Sequence, residues 1–408
     1  MRTAGVGSRA RGRDRVGGPE APLAFVIGDM DLVRPLGLAG IRCVTVSHEG
    51  EPPWFSRFCV GRVAWGDAQA EPEALVGRLE SFGLAQEAAP VLFYEEDADL
   101  LLVSRFRARL RAAFRFVLPR AELVEDLVDK QRFSALADRL GLPVPRSRSL
   151  REVASADATG LRFPVIVKPH TRHARPWAEV APPGPAGQPK VLTASDEAAL
   201  GRLWPRLVGA GGGFVLQELI EGPESRIESY HAYVDEEGAT VAEFTGRKIR
   251  TFPAEHGYTT SLETTDRADV ARAGREVLER LELRGVAKVD FKRDPQGRLA
   301  LLEINPRFNL WHHAGARAGV NVPALVYGDL VGRPRPGAVR ARPGVRWCRL
   351  QEDVRAARRG GASPVEWVRQ LAVSEARATL AWDDPCPFVR GVLWPRARAG
   401  WARLRAAA

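Results

Sequence analysis

Val289-Asp290-Phe291-Lys292-Arg293-Asp294-Pro295-Gln296-Gly297-Arg298, continued by Leu299-Ala300-Leu301-Leu302-Glu303-Ile304-Asn305-Pro306-Arg307, reads as two strand-like runs around a turn. Asp-Pro and Gly are turn formers, so the spacing predicts a hairpin with Asp290 beside Glu303 on antiparallel strands. Like charges directly opposite one another destabilise a sheet, and the pair therefore calls for a cation. A hard divalent ion such as Mg²⁺ takes oxygen ligands, usually one or two carboxylates completed by phosphate oxygens and water. Asp290, Glu303 and the amide carbonyl of Asn305 form such a donor set, the kind a magnesium–nucleotide site needs.

The lysines point to the same region. The chain is rich in arginine yet has six lysines, Lys130, Lys168, Lys190, Lys248, Lys288 and Lys292, all leading up to or inside the hairpin. Where lysine survives a bias toward arginine, a compact and mobile point charge is the requirement to look for. Phosphate binding is one such requirement.

At 408 residues the chain exceeds the usual size of one hydrophobic core, and 45% apolar residues make it globular. Sixty basic against fifty acidic side chains give a formal charge of +10, which suits an anionic substrate, a membrane surface or nucleic acid. No recognition motif for nucleic acid accompanies the charge, so no nucleic-acid partner is expected. Cys43, Cys59, Cys348 and Cys386 are scattered and read as reduced thiols of a cytoplasmic protein. No apolar run is long enough to cross a bilayer and no signal-peptide core is present, so stable membrane insertion is not expected.

Residues 1–20 are rich in Arg and Gly without periodicity and read as a disordered leader. Leu23 to Gly28, Cys43 to Val46 and Val91 to Tyr94 are apolar strand-like runs, which predicts a parallel α/β domain over 21–120. Gly28 lacks a GxGxxG context and is assigned to a tight turn. Leu123, Leu127, Phe133, Leu136, Ala137 and Leu140 have helical spacing from Glu122 to Leu140, stopped by Gly141 and Pro143. Phe163 to Pro169 is a strand ending in Lys168, and Phe214 to Ile220 is another. Ile227–Val234 and Thr240–Thr245 are expected to pair as a hairpin around Asp235-Glu236-Glu237-Gly238. The stretch from His170 to Pro189 reads as a long loop, the candidate lid. After Val331 the composition shifts to Arg, Pro and Gly, so 332–408 is expected to be a C-terminal helical extension ending in a basic helix packed on its own domain.

Asp129-Lys130, Val167-Lys168-Pro169, Gln217-Glu218-Leu219-Ile220-Glu221-Gly222, Asp290-Phe291 and Glu303-Ile304-Asn305-Pro306-Arg307 occur in an order and spacing that resemble the ATP-grasp superfamily. The resemblance is to its carboxylate–amine ligase branch, which includes D-aspartate ligase-like proteins, and covers roughly residues 122 to 330. It implies a mixed α/β and α+β fold, with a pre-ATP-grasp domain over 21–120 and an ATP-grasp domain of two α+β subdomains over 121–331. It further implies that Lys130 and Lys168 grip the ATP phosphates. Glu218, Leu219 and Ile220 would form the adenine hinge, and Glu224, with Glu221 and Glu228 as alternatives, would accept from the ribose hydroxyls. Asp290, Glu303 and Asn305 would hold Mg²⁺, two ions with Mn²⁺ able to substitute, and Arg307 would hold an acyl phosphate. Arg307 and Lys168 are the catalytic candidates. Arg247, Lys248 and Arg250 form a second basic cluster, for phosphate or a substrate carboxylate or simply a charged strand edge, and His312 or His313 is a candidate base for an attacking amine.

The implied reaction is ATP-dependent joining of a small carboxylate to a small amine, through an acyl phosphate, with release of ADP and phosphate, in a homodimer. The alternatives are a kinase of the same fold acting on a small molecule and a non-catalytic basic binding module. One departure stands out. The Gly- and Ser-rich phosphate loop of many such proteins is replaced at His170 to Pro189 by a stretch with Arg172, Arg175, Trp177 and several prolines.

Overall fold

The apolar run after Pro22 forms β1 (Ala24–Ile27), which pairs in parallel with β2 (Cys43–Ser47) and β4 (Val91–Tyr94), while β3 (Cys59–Ala64) adds to β2. The order is β3-β2-β1-β4. Every residue of β1 and β4 is buried, as a parallel sheet covered on both faces requires. The order reverses between β1 and β4, so their carboxyl ends flank a crevice of the kind in which open α/β sheets bind ligands. These coordinates are a computed structural model that describes residues 21–65, 70–170, 175–184 and 188–407. The leader expected over 1–20 lies outside the described residues. Gly28 is demanded by close approach more than by a turn, since a Cβ there would lie 2.8 Å from Glu95 Oε2.

The helix expected from Glu122 to Leu140 is broken. One helix spans Ala121–Val128 and a second Lys130–Leu140, with Asp129 extended between them. The Asp129 carboxylate accepts from the N–H groups of Gln131 and Arg132, both at 2.9 Å, an N-cap that outweighs helix continuity. Lys130 therefore opens the second helix, and its N–H donates to the His170 carbonyl at 3.1 Å.

The second sheet is antiparallel, with β5 (Ser147–Ser149), β6 (Val165–Pro169), β7 (Leu192–Ala194) and β8 (Phe214–Glu218) in the order β5-β8-β6-β7. It has its own core, in which Val165, Val167, Trp177, Leu207, Phe214 and Leu216 meet. The expected loop from His170 to Pro189 contains a helix, Arg175–Val180. Trp177 on it is 2% exposed and donates through Nε1 to the Pro189 carbonyl at 2.8 Å. The remaining loop residues at 171–174 and 185–187 lie outside the described residues.

The third sheet comprises β9 (Ile227–Val234), β10 (Thr240–Phe252), β11 (Tyr258–Thr265), β12 (Gly285–Arg293), β13 (Leu299–Asn305), β14 (Arg346–Cys348) and β15 (Ala376–Arg377). Its order is β13-β12-β9-β10-β11-β14-β15. Asp290 pairs with Glu303 and Lys288 with Asn305 across the β12–β13 hairpin, the register read from its turn. The boundary expected at 331 does not coincide with the sheet, because β14 and β15 continue it. Strands of three and two residues are too short to show alternation. The N-terminal layer and this sheet share one core, where Val26, Met30 and Phe93 are clustered with Phe244, Trp311 and Trp347.

The C-terminal helices are tied down by charge. Asp353, 2% exposed, accepts from Arg250 Nε at 3.0 Å and Nη2 at 2.7 Å, from Thr260 at 2.9 Å and from Trp367 at 3.0 Å. Removing one partner of a buried pair strands the other charge. Asp353→Ala is expected to cost about 3–5 kcal/mol in chemical denaturation. Further on, Asp384 accepts from Ser56 at 2.6 Å, and Asp383 pairs with the buried Arg34 at 2.7 Å, so this segment clasps the N-terminal layer. The last helix, Trp394–Ala407, differs from the packed helix expected. Trp394 is 64% and Trp401 67% exposed. Among the described residues no helix is long and apolar enough to cross a membrane.

Candidate active site

Between the second sheet and the β12–β13 hairpin lies a cleft of about 750 Å³, including its space open to solvent, lined by Lys130, Lys168, Gln217, Glu303, Asn305 and Asp97. Strand alternation explains the set. Residues 215 and 217 of β8 point to the cleft and residue 218 to the other face, while Glu303 and Asn305 share one face of β13. Lys168, near the end of β6, donates Nζ to Gln217 Oε1 at 2.7 Å. Burial lowers its pKa to about 8, the nearby Lys130 charge adds to that, and Glu303 and Glu224 act in the opposite direction. Two ammonium groups from different elements thus face the carboxylate of Glu303 across one cleft.

The third expected metal ligand is set deeper. Asp290 is 1% exposed and does not line the cleft. Its Oδ1 accepts from Ser229 and its Oδ2 from Lys288 Nζ at 2.6 Å. Lys288 Nζ also lies 3.9 Å from Glu303 Oε1. The charge repulsion expected across the hairpin is therefore met by a lysine of the chain itself, which corrects the premise that only a metal could supply the cation. The donor chemistry still fits Mg²⁺. Glu303 is 56% exposed at its side chain, and Asn305 Nδ2 donates to Glu303 Oε1 at 3.3 Å, which orients the amide beside the carboxylate. Among the described residues no group of three or more His, Cys, Asp or Glu gathers around one point, so a hard cation here would complete its shell with phosphate and water.

Glu218 is a correction. It is 5% exposed on the far face of β8, where its carboxylate accepts from Arg162 Nη2 at 2.7 Å, Arg162 Nε at 3.1 Å and the Arg162 N–H at 3.1 Å. That carboxylate is committed to arginine and is not aimed at a purine. Leu219 and Ile220 are half-buried just beyond the strand, and Leu219 N–H donates to the Pro164 carbonyl at 2.9 Å. Glu224 sits 3.5 Å from Lys292 Nζ and close enough to Lys168 to raise its pKa. Glu228 pairs with Arg293 at 2.8 Å, and Glu221 is exposed. Arg307, 9% exposed, donates Nε to Asp97 Oδ1 at 2.5 Å and Nη1 to the Glu95 carbonyl, so it bridges the hairpin to the carboxyl end of β4.

Neither histidine next to the hairpin can reach a substrate. His312 is 0% exposed among Phe308, Phe244 and His231, and burial lowers its pKa to about 3. His313 is 1% exposed with Nδ1 3.2 Å from Asp31 Oδ1. The basic cluster on β10 is also committed, Arg247 to Glu263 at 2.6 Å and Arg250 to Asp353. Sequence reasoning missed Ser229 and His256, named Lys288 and Lys292 only as members of the lysine set, and quoted Gln217 only within the hinge motif. Burial holds the His256 pKa below its usual value, and Glu224, Lys292 and Lys168 all act on it electrostatically. Its loop is held by Lys190 Nζ, which donates to the Gly257 carbonyl at 3.0 Å. The available signals were the alternation of Lys288, Asp290 and Lys292 along one strand face and the charged turn Glu255-His256-Gly257.

This arrangement, two lysines and an acidic hairpin around a cleft between two antiparallel sheets, sits on an ATP-grasp fold, and the resemblance read from the motifs holds. Residues 213–352 match a family described as ATP-grasp in the biosynthetic pathway with Ter operon. The chain is 29% identical over 209 residues to a D-alanine–D-alanine ligase of Halorhodospira halophila, a match covering 49% of this chain and 64% of that protein. The L-amino acid ligase of Bacillus licheniformis superposes with a TM-score of 0.57 at 14% identity, covering 80% of this chain and 78% of that one. The biotin carboxylase domain of Hydrogenobacter thermophilus 2-oxoglutarate carboxylase, solved with MgADP, ADP and bicarbonate, gives 0.59 at 16% identity, covering 81% and 74%.

Proposed function

We propose that this protein is a Mg·ATP-dependent ligase that joins a small carboxylate to a small amine. The observation that carries the reading is the convergence of Lys130 and Lys168 on the cleft that Glu303 and Asn305 face. Lys130 and Lys168 would neutralise the polyphosphate and hold it in line. Asp290, Glu303 and Asn305 would hold Mg²⁺, which when bound offsets charge on the transferring phosphoryl group. A carboxylate oxygen takes the terminal phosphoryl group and ADP leaves. The amine nitrogen then attacks the carbonyl carbon, phosphate leaves, and the nitrogen gives up a proton. Arg307, whose Nε and Nη1 are already engaged by Asp97 and the Glu95 carbonyl, would offer an acyl phosphate its guanidinium charge and not a two-pronged fork. Two Mg²⁺ ions replaceable by Mn²⁺, Leu219, Ile220 and Glu224 around the nucleoside, and a homodimer acting in the cytoplasm complete the proposal.

The test is ADP release from Mg·ATP with hydroxylamine as the amine, screened against pools of small carboxylic and amino acids. A hydroxamate formed together with ADP from one pool supports the ligase and names its carboxylate class. A phosphorylated acceptor without hydroxamate would replace it with a kinase.

A further inference from the structure

Lys288, Asp290 and Lys292 alternate along β12 and so share one face of the sheet, and they are 9%, 1% and 5% exposed. A buried charge without a partner is strongly unfavourable. Lys292 finds Glu224, and Lys288 finds Asp290 at 2.6 Å with Glu303 at 3.9 Å. Resting on the metal reading above, we propose that the Lys288 ammonium is the resident counter-ion of the metal site. It bridges the two acidic ligands before nucleotide arrives and makes metal binding conditional on polyphosphate.

The charge count carries the argument. Within the hairpin Asp290 and Glu303 contribute two negative charges and Lys288 one positive, a net of −1, and Lys130 and Lys168 face the same cleft, so a free divalent ion meets no surplus of negative charge and an ammonium already on one of its oxygens. Two cations sharing the same carboxylates repel at short range. Phosphate oxygens supply the missing negative charge, both as further metal ligands and as an alternative partner for Nζ. Ser229 keeps Asp290 Oδ1 occupied throughout, so Oδ2 is the atom over which ammonium and metal compete. Lys288 is thus a positioning residue whose effect is read on the metal.

The test uses the full chain and Mn²⁺ alone, followed by electron paramagnetic resonance, with thermal melting in parallel. Lys288→Met is expected to bind Mn²⁺ without nucleotide about tenfold or more tighter than the wild type. It should also melt at a lower temperature without metal and recover when Mn²⁺ is added. Lys288→Met combined with Asp290→Asn should regain the metal-free melting temperature and lose the tight Mn²⁺ binding. Should Lys288→Met not fold, Lys288→Gln is expected to tighten Mn²⁺ in the same sense. Unchanged or weaker Mn²⁺ binding in the neutral variants would overturn the inference. If the wild type binds Mn·ATP and Glu303→Gln does not, the metal reading stands independently of that result. If the wild type binds no Mn·ATP, both fall.

Discussion

Lys168→Met is expected to lower kcat/KM for ADP formation by about 10²–10³-fold, the range seen when one preorganised charge-stabilising donor is removed. The Lys168 ammonium is held by Gln217 at 2.7 Å. Its pKa of about 8 gives the prediction a second axis. The phosphate-binding form is the protonated one, present below pH 8 and lost as pH rises through that value. In the wild type kcat/KM should therefore hold to about pH 8 and then fall toward tenfold per unit. Because the Lys130 charge pushes this pKa down, Lys130→Met should move the midpoint to higher pH while weakening ATP binding. A pH profile that is flat from 7 to 9.5 in the wild type would remove Lys168 from the phosphate site.

Glu303→Gln is expected to reduce metal-dependent turnover by about 10²-fold or more and to leave stability within about 0.5 kcal/mol, as for other exposed positions. Asp290→Asn should impair turnover as well, but with a different stability. It leaves Lys288 buried beside a neutral amide, and breaking such a pair costs about 3–5 kcal/mol. Mg²⁺ titrations of ATP turnover, with urea melts of both variants, separate the two effects. Equal stability losses would mean that Glu303 is a structural carboxylate and not a ligand facing the cleft.

The hairpin was legible because its register is set by a turn, and Asp-Pro-Gln-Gly fixes which residues oppose one another. Lys168 was legible as a lysine at a strand end, whereas Lys130 was read inside one continuous helix and was singled out only through the motif order. What the sequence hid was direction. Glu218 and Gln217 are neighbours, and a strand turns them to opposite faces, so the motif alone favoured the wrong side chain. His312 and His313 follow the acidic hairpin in sequence, yet their helix packs into the core beneath the N-terminal layer, where a ring is wanted for its shape. Ser229 was hidden for another reason. Its bond to Asp290 is made from β9, 61 residues away in the chain, whereas Lys288 lies two residues from Asp290 on the same strand. Short strands such as β14 and β15 leave almost no pattern to read.

Two of the cores described above divide the molecule mechanically. Trp311, Phe308 and Trp347 interlock with Val26 and Phe93, and Arg307 latches onto Asp97, so the N-terminal layer and the large sheet form one frame. The small sheet is built around a separate core and carries Lys168 and Gln217. If the protein breathes, the small sheet is the jaw and the frame is the anvil. Opening would carry Lys168 away from Glu303 while the Arg307–Asp97 latch, which lies wholly within the frame, stays shut.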